Sequence, residues 1–106
     1  NTVIAAAGSS PAYFFLIAEV MQKSAVEMGL NPQDARMLVE QAMLGSATLM
    51  QNNADLELST LRAHVTSKGG TTAKAVESLQ EDDIQAMFTK AMRAAVTRAN
   101  EMSQQF

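Results

Sequence analysis

Apolar positions in this chain recur at intervals of three and four, the period of an amphipathic α-helix, and turn-forming residues break the pattern into five segments. The first opens at Ser9-Ser10-Pro11, the order of an N-cap followed by proline in the first turn, where a missing N–H costs nothing. It runs without a polar break from Ala12 to Ala18, then turns amphipathic through Glu19, Gln22, Lys23 and Glu27 until Gly29 stops it. Asn31-Pro32 repeats the cap-and-proline signal for a second helix, where Leu38, Ala42, Gly45 and Leu49 keep helical spacing up to polar Gln51-Asn52-Asn53. Leu58, Leu61 and Val65 predict a short third helix. Thr71 or Thr72 is expected to cap a brief fourth one carrying Ala75, Val76 and Leu79. Asp82 or Asp83 is expected to cap a long last helix with Ile84, Met87, Phe88, Ala91, Ala95, Ala99 and Met102 on one face. No stretch sustains period-two alternation, so the fold class is all-α, a helical bundle of about five helices.

The segment from Tyr13 to Ile17 is apolar all round and must be covered on every side; in a single domain of 106 residues, a second subunit is the expected cover. The apolar run Ala12 to Ala18 falls well short of the ~20 residues a membrane-spanning helix needs, and no basic region precedes it as in a signal peptide, so a soluble, cytoplasmic protein without a membrane partner is expected. Gly45, inside a helix at a cost of about 1 kcal/mol relative to alanine, is expected to mark a close helix–helix approach. The eight methionines are spread over helix faces and read as core gap-fillers. A net charge of −3 argues against nucleic acid, which wants a basic face. With no cysteine and one histidine, His64, neither a thiolate nucleophile nor a Cys/His metal centre is available. The chain opens at Asn1 without an initiating methionine, and a preceding N-terminal part is expected.

One stretch departs from the helical pattern: "HVTSKGGTT", His64 to Thr72. Gly69 and Gly70 permit backbone conformations that a Cβ forbids and leave no side chain between main chain and ligand. The N–H groups that follow, at a helix start, have no partner within the helix and lie at the positive end of its dipole, which suits a carboxylate or phosphate. Thr71 and Thr72 offer hydroxyls on one side, Thr66 and Ser67 on the other. By spacing alone this is neither a Walker loop nor a dinucleotide fingerprint, and a flexible connector ending in a threonine cap is the reading that spacing alone favours.

The segments "GSSPAYFFLIAE", "EMGLNPQDARMLVEQAMLGSA", "LRAHVTSKGGTTAKAVESL" and "AMRAAVTRANEM" resemble, in order and spacing, the C-terminal domain of pyrroline-5-carboxylate reductases across nearly the whole chain. Two positions depart from that family's pattern: Lys68 stands at its usual proline and Ser10 at a usual glycine. The resemblance implies residues 1–106 are an interlocked dimerisation and substrate-binding domain, assembled as a homodimer or larger homo-oligomer. It implies that the full-length enzyme reduces 1-pyrroline-5-carboxylate, a cyclic imino carboxylate, to L-proline with NADPH or NADH held mainly by an N-terminal Rossmann domain. It also implies that Gly69, Gly70, Thr71 and Thr72 bind substrate, that Thr66 and Ser67 lie toward the cofactor, and that this domain supplies no catalytic acid or base and is inactive alone. The alternative is a free-standing helical dimer, an interaction module whose glycine loop is only a cap.

Overall fold

The computed structural model describes residues 1–105 and contains five α-helices: α1 Ser10–Glu27, α2 Pro32–Asn52, α3 Leu58–His64, α4 Thr71–Glu81 and α5 Ile84–Gln105. A short π-helical segment, Ile4–Gly8, precedes them. Among the described residues there is no strand. The chain divides into two compact units, one formed by Phe14–Thr66 and the other by Asn1–Tyr13 with the chain from Ser67 onward.

In the second of these units, the π-helical segment and α4 both pack against α5. Ala5 is fully covered there, and the Asn1 side-chain amide donates to the Asn100 side-chain oxygen. Ile84, Phe88, Met92, Ala95, Val96 and Ala99 form the half-buried side of α5, while Met87 and Met102, which the periodicity puts on the same stripe, lie at its open edge. The π turn changes how α1 begins. The chain arrives already helical, with the Ser9 amide bonded to Ile4 O at 2.7 Å, so neither Ser9 nor Ser10 acts as an N-cap. The Ser10 hydroxyl instead donates backward to Ala7 O at 3.2 Å.

In the Phe14–Thr66 unit, α1 ends as the sequence requires. Gly29 adopts φ +115°, its amide bonds Val26 O at 3.0 Å and the Leu30 amide bonds Ala25 O at 3.1 Å, the paired hydrogen bonds of a Schellman motif. At the start of α2, the Asn31 side-chain oxygen accepts from the Asp34 amide at 2.9 Å. The Asn53 side chain donates to Leu49 O at 2.9 Å and closes the other end. Glu40, 2.6 Å from Arg36, raises the arginine's pKa, first through the hydrogen bond and then through its charge. Val65 terminates α3 rather than continuing it.

Burial within the chain is slight. Only Ala5, Ala35 and Val39 are buried apolar residues among those described, while Phe15 is 74% exposed and Phe14, Leu16 and Val20 are more than half exposed. Three expectations change accordingly. Met21, Met28, Met37, Met50, Met87 and Met102 are exposed rather than filling a core within this chain. A Cβ on Gly45 would meet no atom within 4 Å, so no helix of the same chain approaches it. The stretch Ile4–Glu27 is long and apolar enough by composition to cross a membrane, because the helical turns before Ser10 lengthen the apolar run that the sequence pattern starts at Ala12.

Asn31→Ala removes the acceptor for an otherwise orphan helix amide and is expected to destabilise the domain by about 1 kcal/mol. Thermal denaturation of the two proteins at equal concentration measures the loss.

Candidate functional site

Thr66 ends one compact unit, and Ser67 opens the second stretch of the other. Within its own unit, the Thr66 hydroxyl donates to Arg62 O at 2.6 Å and its amide to Ala63 O at 3.1 Å, so its side-chain proton is committed to the end of α3. His64 is exposed in the last turn of that helix, where it and Arg62 favourably face the negative end of the dipole.

Ser67 to Gly70 form a β-turn closed by the Gly70 amide on Ser67 O at 3.0 Å. Gly69, third in the turn, has φ +73°, whereas Lys68 is not in the left-handed region. This is the signature of a type II turn, which requires a positive φ at the third position only. The adjacent glycines therefore have separate tasks. Gly69 supplies the left-handed backbone, and Gly70 supplies space: a Cβ there would lie 2.5 Å from Ser67 Oγ and 3.2 Å from Ser67 O. Lys68 occupies the second position of the turn, where proline's fixed φ is favoured. Its side chain is exposed and forms no ion pair among the described residues.

Gly70 is extended, at φ −84° and ψ −179°, and is itself the N-cap of α4, with no side-chain cap. The first intrahelical bond runs from the Lys74 amide to Gly70 O at 3.2 Å. The amides of Thr71, Thr72 and Ala73 are thus left as the orphan donors of the helix start, without partners among the described residues. Neither threonine caps the helix, contrary to the expectation above, because each already lies inside it. Both residues are exposed, and their hydroxyls make no hydrogen bond among the described residues. With no acid in the first turn, the arrangement offers three amides and two hydroxyls at the positive end of an 11-residue helix. Its chemistry is that of a receptor for a small anion such as a carboxylate.

The loop residues line neither of two grooves that the structure contains. A groove of about 490 Å³ between α1 and α2 is lined chiefly by Phe14, Phe15, Val39 and Met43, and another of about 540 Å³ runs along α5 beside Lys90 and Arg93. Neither is signalled by a sequence motif. Among the described residues no cluster of His, Asp or Glu is built to hold a metal. Without a strand, the described residues lack the strand, glycine turn and helix that cradle a dinucleotide in a Rossmann fold.

The family model described as pyrroline-5-carboxylate reductase dimerisation matches residues 1–102. The pyrroline-5-carboxylate reductase of Vibrio alginolyticus is 54% identical over all 106 residues, which span 39% of that protein, and the one of Pasteurella multocida is 45% identical over the same span, 38% of its length. The solved structure of a pyrroline-5-carboxylate reductase from Coxiella burnetii superposes with a TM-score of 0.90 at 41% identity, covering 94% of this chain and 37% of the other. The crystal structure of Plasmodium falciparum pyrroline carboxylate reductase with NADP bound gives a TM-score of 0.88 at 29% identity, covering 95% and 38%.

The turn geometry makes opposite demands on neighbouring positions. Lys68→Pro is expected to stabilise the domain by about 0.4–1 kcal/mol, since the Lys68 amide makes no backbone hydrogen bond and proline presets its φ. Gly70→Ala is expected to destabilise it, because the new methyl collides with Ser67. Melting temperatures of the two variants should fall on either side of the parent.

Proposed function

The chain belongs to the pyrroline-5-carboxylate reductase family, as its dimerisation domain, and from that premise we propose that it pairs two subunits and binds substrate in an enzyme that reduces 1-pyrroline-5-carboxylate to L-proline. The observation that carries the substrate assignment is the start of α4, where the amides of Thr71, Thr72 and Ala73 are unpaired and both threonine hydroxyls are free. In this role Gly69 and Gly70 shape the turn. The Gly70 amide is spent on Ser67 O, so the carboxylate is gripped by the amides that follow it. The Thr72 hydroxyl supplies a further hydrogen bond to the bound ring, and Ser67 and Thr66 lie on the side from which reduction occurs.

The chain contributes position rather than proton transfer. Holding an imine carbon in reach of a hydride donor converts an encounter into an oriented reaction, and this accounts for much of the rate without an acid or base from these residues. The hydride is supplied by NADPH or NADH, held by an N-terminal Rossmann domain beyond these 106 residues; the domain alone is expected to be inactive. The cap-only alternative is disfavoured because the loop's cap is Gly70, which has no side chain, and two threonine hydroxyls remain idle under it.

Dimerisation accounts for the uncovered surface. Phe14, Phe15, Leu16 and Val20 are each more than half exposed in this chain, and a contiguous apolar surface of that kind selects a protein partner. The purified domain is expected to scatter light as a dimer at micromolar concentration, with no stable monomer.

Thr72→Val tests the substrate site in the full-length enzyme. It exchanges one hydroxyl for a methyl without touching a cap, so the melting temperature should hold while kcat/KM falls roughly tenfold to a hundredfold, the loss of one hydrogen bond to a charged ligand. A variant that melts like the parent and turns over at the parental rate would contradict the assignment.

A further inference from the structure

Ile4 to Gly8 form a π turn that their own sequence does not ask for. At its centre stands Ala5-Ala6-Ala7, and alanine is the strongest α-helix former. A π turn is rare because its i+5 bond inserts one extra residue into a helix that would otherwise continue. Helical backbone lies on both sides of the insertion: the Ala5 amide bonds Asn1 O at 3.2 Å, an α-type bond, and α1 resumes at Ser10. The extra residue is therefore held in place by something outside the turn.

That element is α5. The π segment packs along it, Ala5 is 1% exposed, and the Asn1 side-chain amide donates to the Asn100 side-chain oxygen. One residue of α-helix carries about 100° of rotation and about 1.5 Å of rise. Without the insertion, an unbroken helix continued backward from Ser10 would turn Ala5 and Asn1 about 100° away from α5. The insertion thus selects the face that seats on α5, and the Ala5 methyl is small enough to be fully covered there. Ala6 and Ala7 are exposed, so the number of residues in the turn matters and their side chains do not.

A second element rests on the same helix. α4 packs on α5 within the same compact unit, and α4 begins with the unpaired amides of Thr71 and Thr72. One helix therefore holds both the N-terminal end of the chain and the anion-holding helix start. Hydride transfer is sensitive to such placement, since reacting atoms displaced by about 1 Å can lose roughly a hundredfold in rate. We propose that the π turn Ile4–Gly8, seated on α5 through Ala5 and Asn1, is a positioning device. It sets the azimuth at which the cofactor domain joins this one, and so aligns the hydride donor with a substrate held at the start of α4. The proposal rests on the functional reading above, which puts the cofactor upstream and the substrate at α4, and adds how the two are kept in register.

The test uses the full-length enzyme and changes residue count without changing surface chemistry. Deletion of Ala6, and insertion of one alanine between Ala6 and Ala7, each shift the register, whereas Ala6→Gln keeps it at an exposed position. Asn100→Ala loosens the seat on α5 with the count unchanged. Circular dichroism checks folding, and fluorescence titration gives the NADPH Kd. A single turnover of bound NADPH with saturating 1-pyrroline-5-carboxylate gives a rate constant and an amplitude. The deletion and insertion variants are expected to bind NADPH with the parental Kd and to oxidise it to full amplitude, at a rate constant roughly tenfold to a hundredfold lower. Asn100→Ala moves the rate constant the same way by a smaller factor, and Ala6→Gln matches the parent throughout. Parental rate constants in the deletion and insertion variants would overturn the proposal. So would a loss of amplitude at an unchanged rate constant, which marks misfolded enzyme rather than misaligned reactants. If neither of these variants folds, Asn100→Ala decides, and a parental rate constant there overturns the proposal. A parent enzyme that does not reduce 1-pyrroline-5-carboxylate with NADPH would instead overturn the functional reading on which the proposal rests.

Discussion

A helix that is apolar on every side cannot be covered by the few neighbours a chain of this length supplies, and that constraint governs the rest of the structure. Phe14, Phe15, Leu16 and Val20 point in different directions around α1 and are all exposed, while the buried apolar set is Ala5, Ala35 and Val39. Three small or medium side chains bury too little area to balance the conformational entropy of ordering about a hundred residues, at roughly 1–2 kcal/mol each for the backbone alone. Much of the hydrophobic stabilisation must then come from surface that is open here and covered in the assembled protein. Helix ends, by contrast, are completed locally: the Schellman turn at Gly29, the Asn31 cap and the Asn53 side chain each satisfy orphan groups without help from a partner. The domain fixes its element boundaries alone and leaves its core to association.

That division explains what is legible in the sequence. The existence of all five helices follows from periodicity, and several of their ends follow from local signals that act within a few residues of where they stand: Asn31-Pro32 opens α2, Gly29 closes α1, and Asp83, at φ +54° with its carboxylate accepting from the Ala86 amide at 3.2 Å, opens α5. The π turn before Ser10 is not legible, since Ile4 to Gly8 carries no cap and its i+5 bonds leave no periodic trace in five residues. Met28, Met87 and Gly45 depart from the expected tasks for a different reason. Periodicity says which residues seek cover, and it does not say whether the cover comes from the same chain.

The loop is legible in kind and differs in detail. Two glycines followed by two threonines point to an anion-holding helix start, yet the sequence does not decide which of the four residues is the cap. The turn decides it. Once Gly69 takes the left-handed conformation, Gly70 is driven against Ser67, its amide is consumed, and the extended N-cap falls on the one residue that has no side chain to cap with. Had a threonine stood there, its hydroxyl would satisfy one of the amides that the proposed carboxylate needs. The glycine cap, which the close approach of Ser67 already asks for, also keeps the donors free for the proposed carboxylate, at a cost of only a few tenths of a kcal/mol in helix stability. Lys68 then reads as a residue the turn tolerates, since the second position asks for a φ that any L-residue can take.

Ile4–Glu27 poses the same question of cover at larger scale. Length and hydropathy admit it as a membrane span, but both measure composition and neither measures what lies against the helix. Its second half argues for protein. Glu19, Lys23 and Glu27 place a charge on nearly every turn from Glu19 on, and the Gln22 side chain donates to Pro32 O at 3.0 Å, binding the helix to the start of α2. A lipid-facing helix carries few such residues within its span, because each polar group moved into hydrocarbon without a partner costs several kcal/mol. The N-terminal half, apolar and exposed, is suited to either environment on its own. Joined to a polar second half, and belonging to a family of dimerisation domains, it is better suited to cover by protein than to a lipid interior.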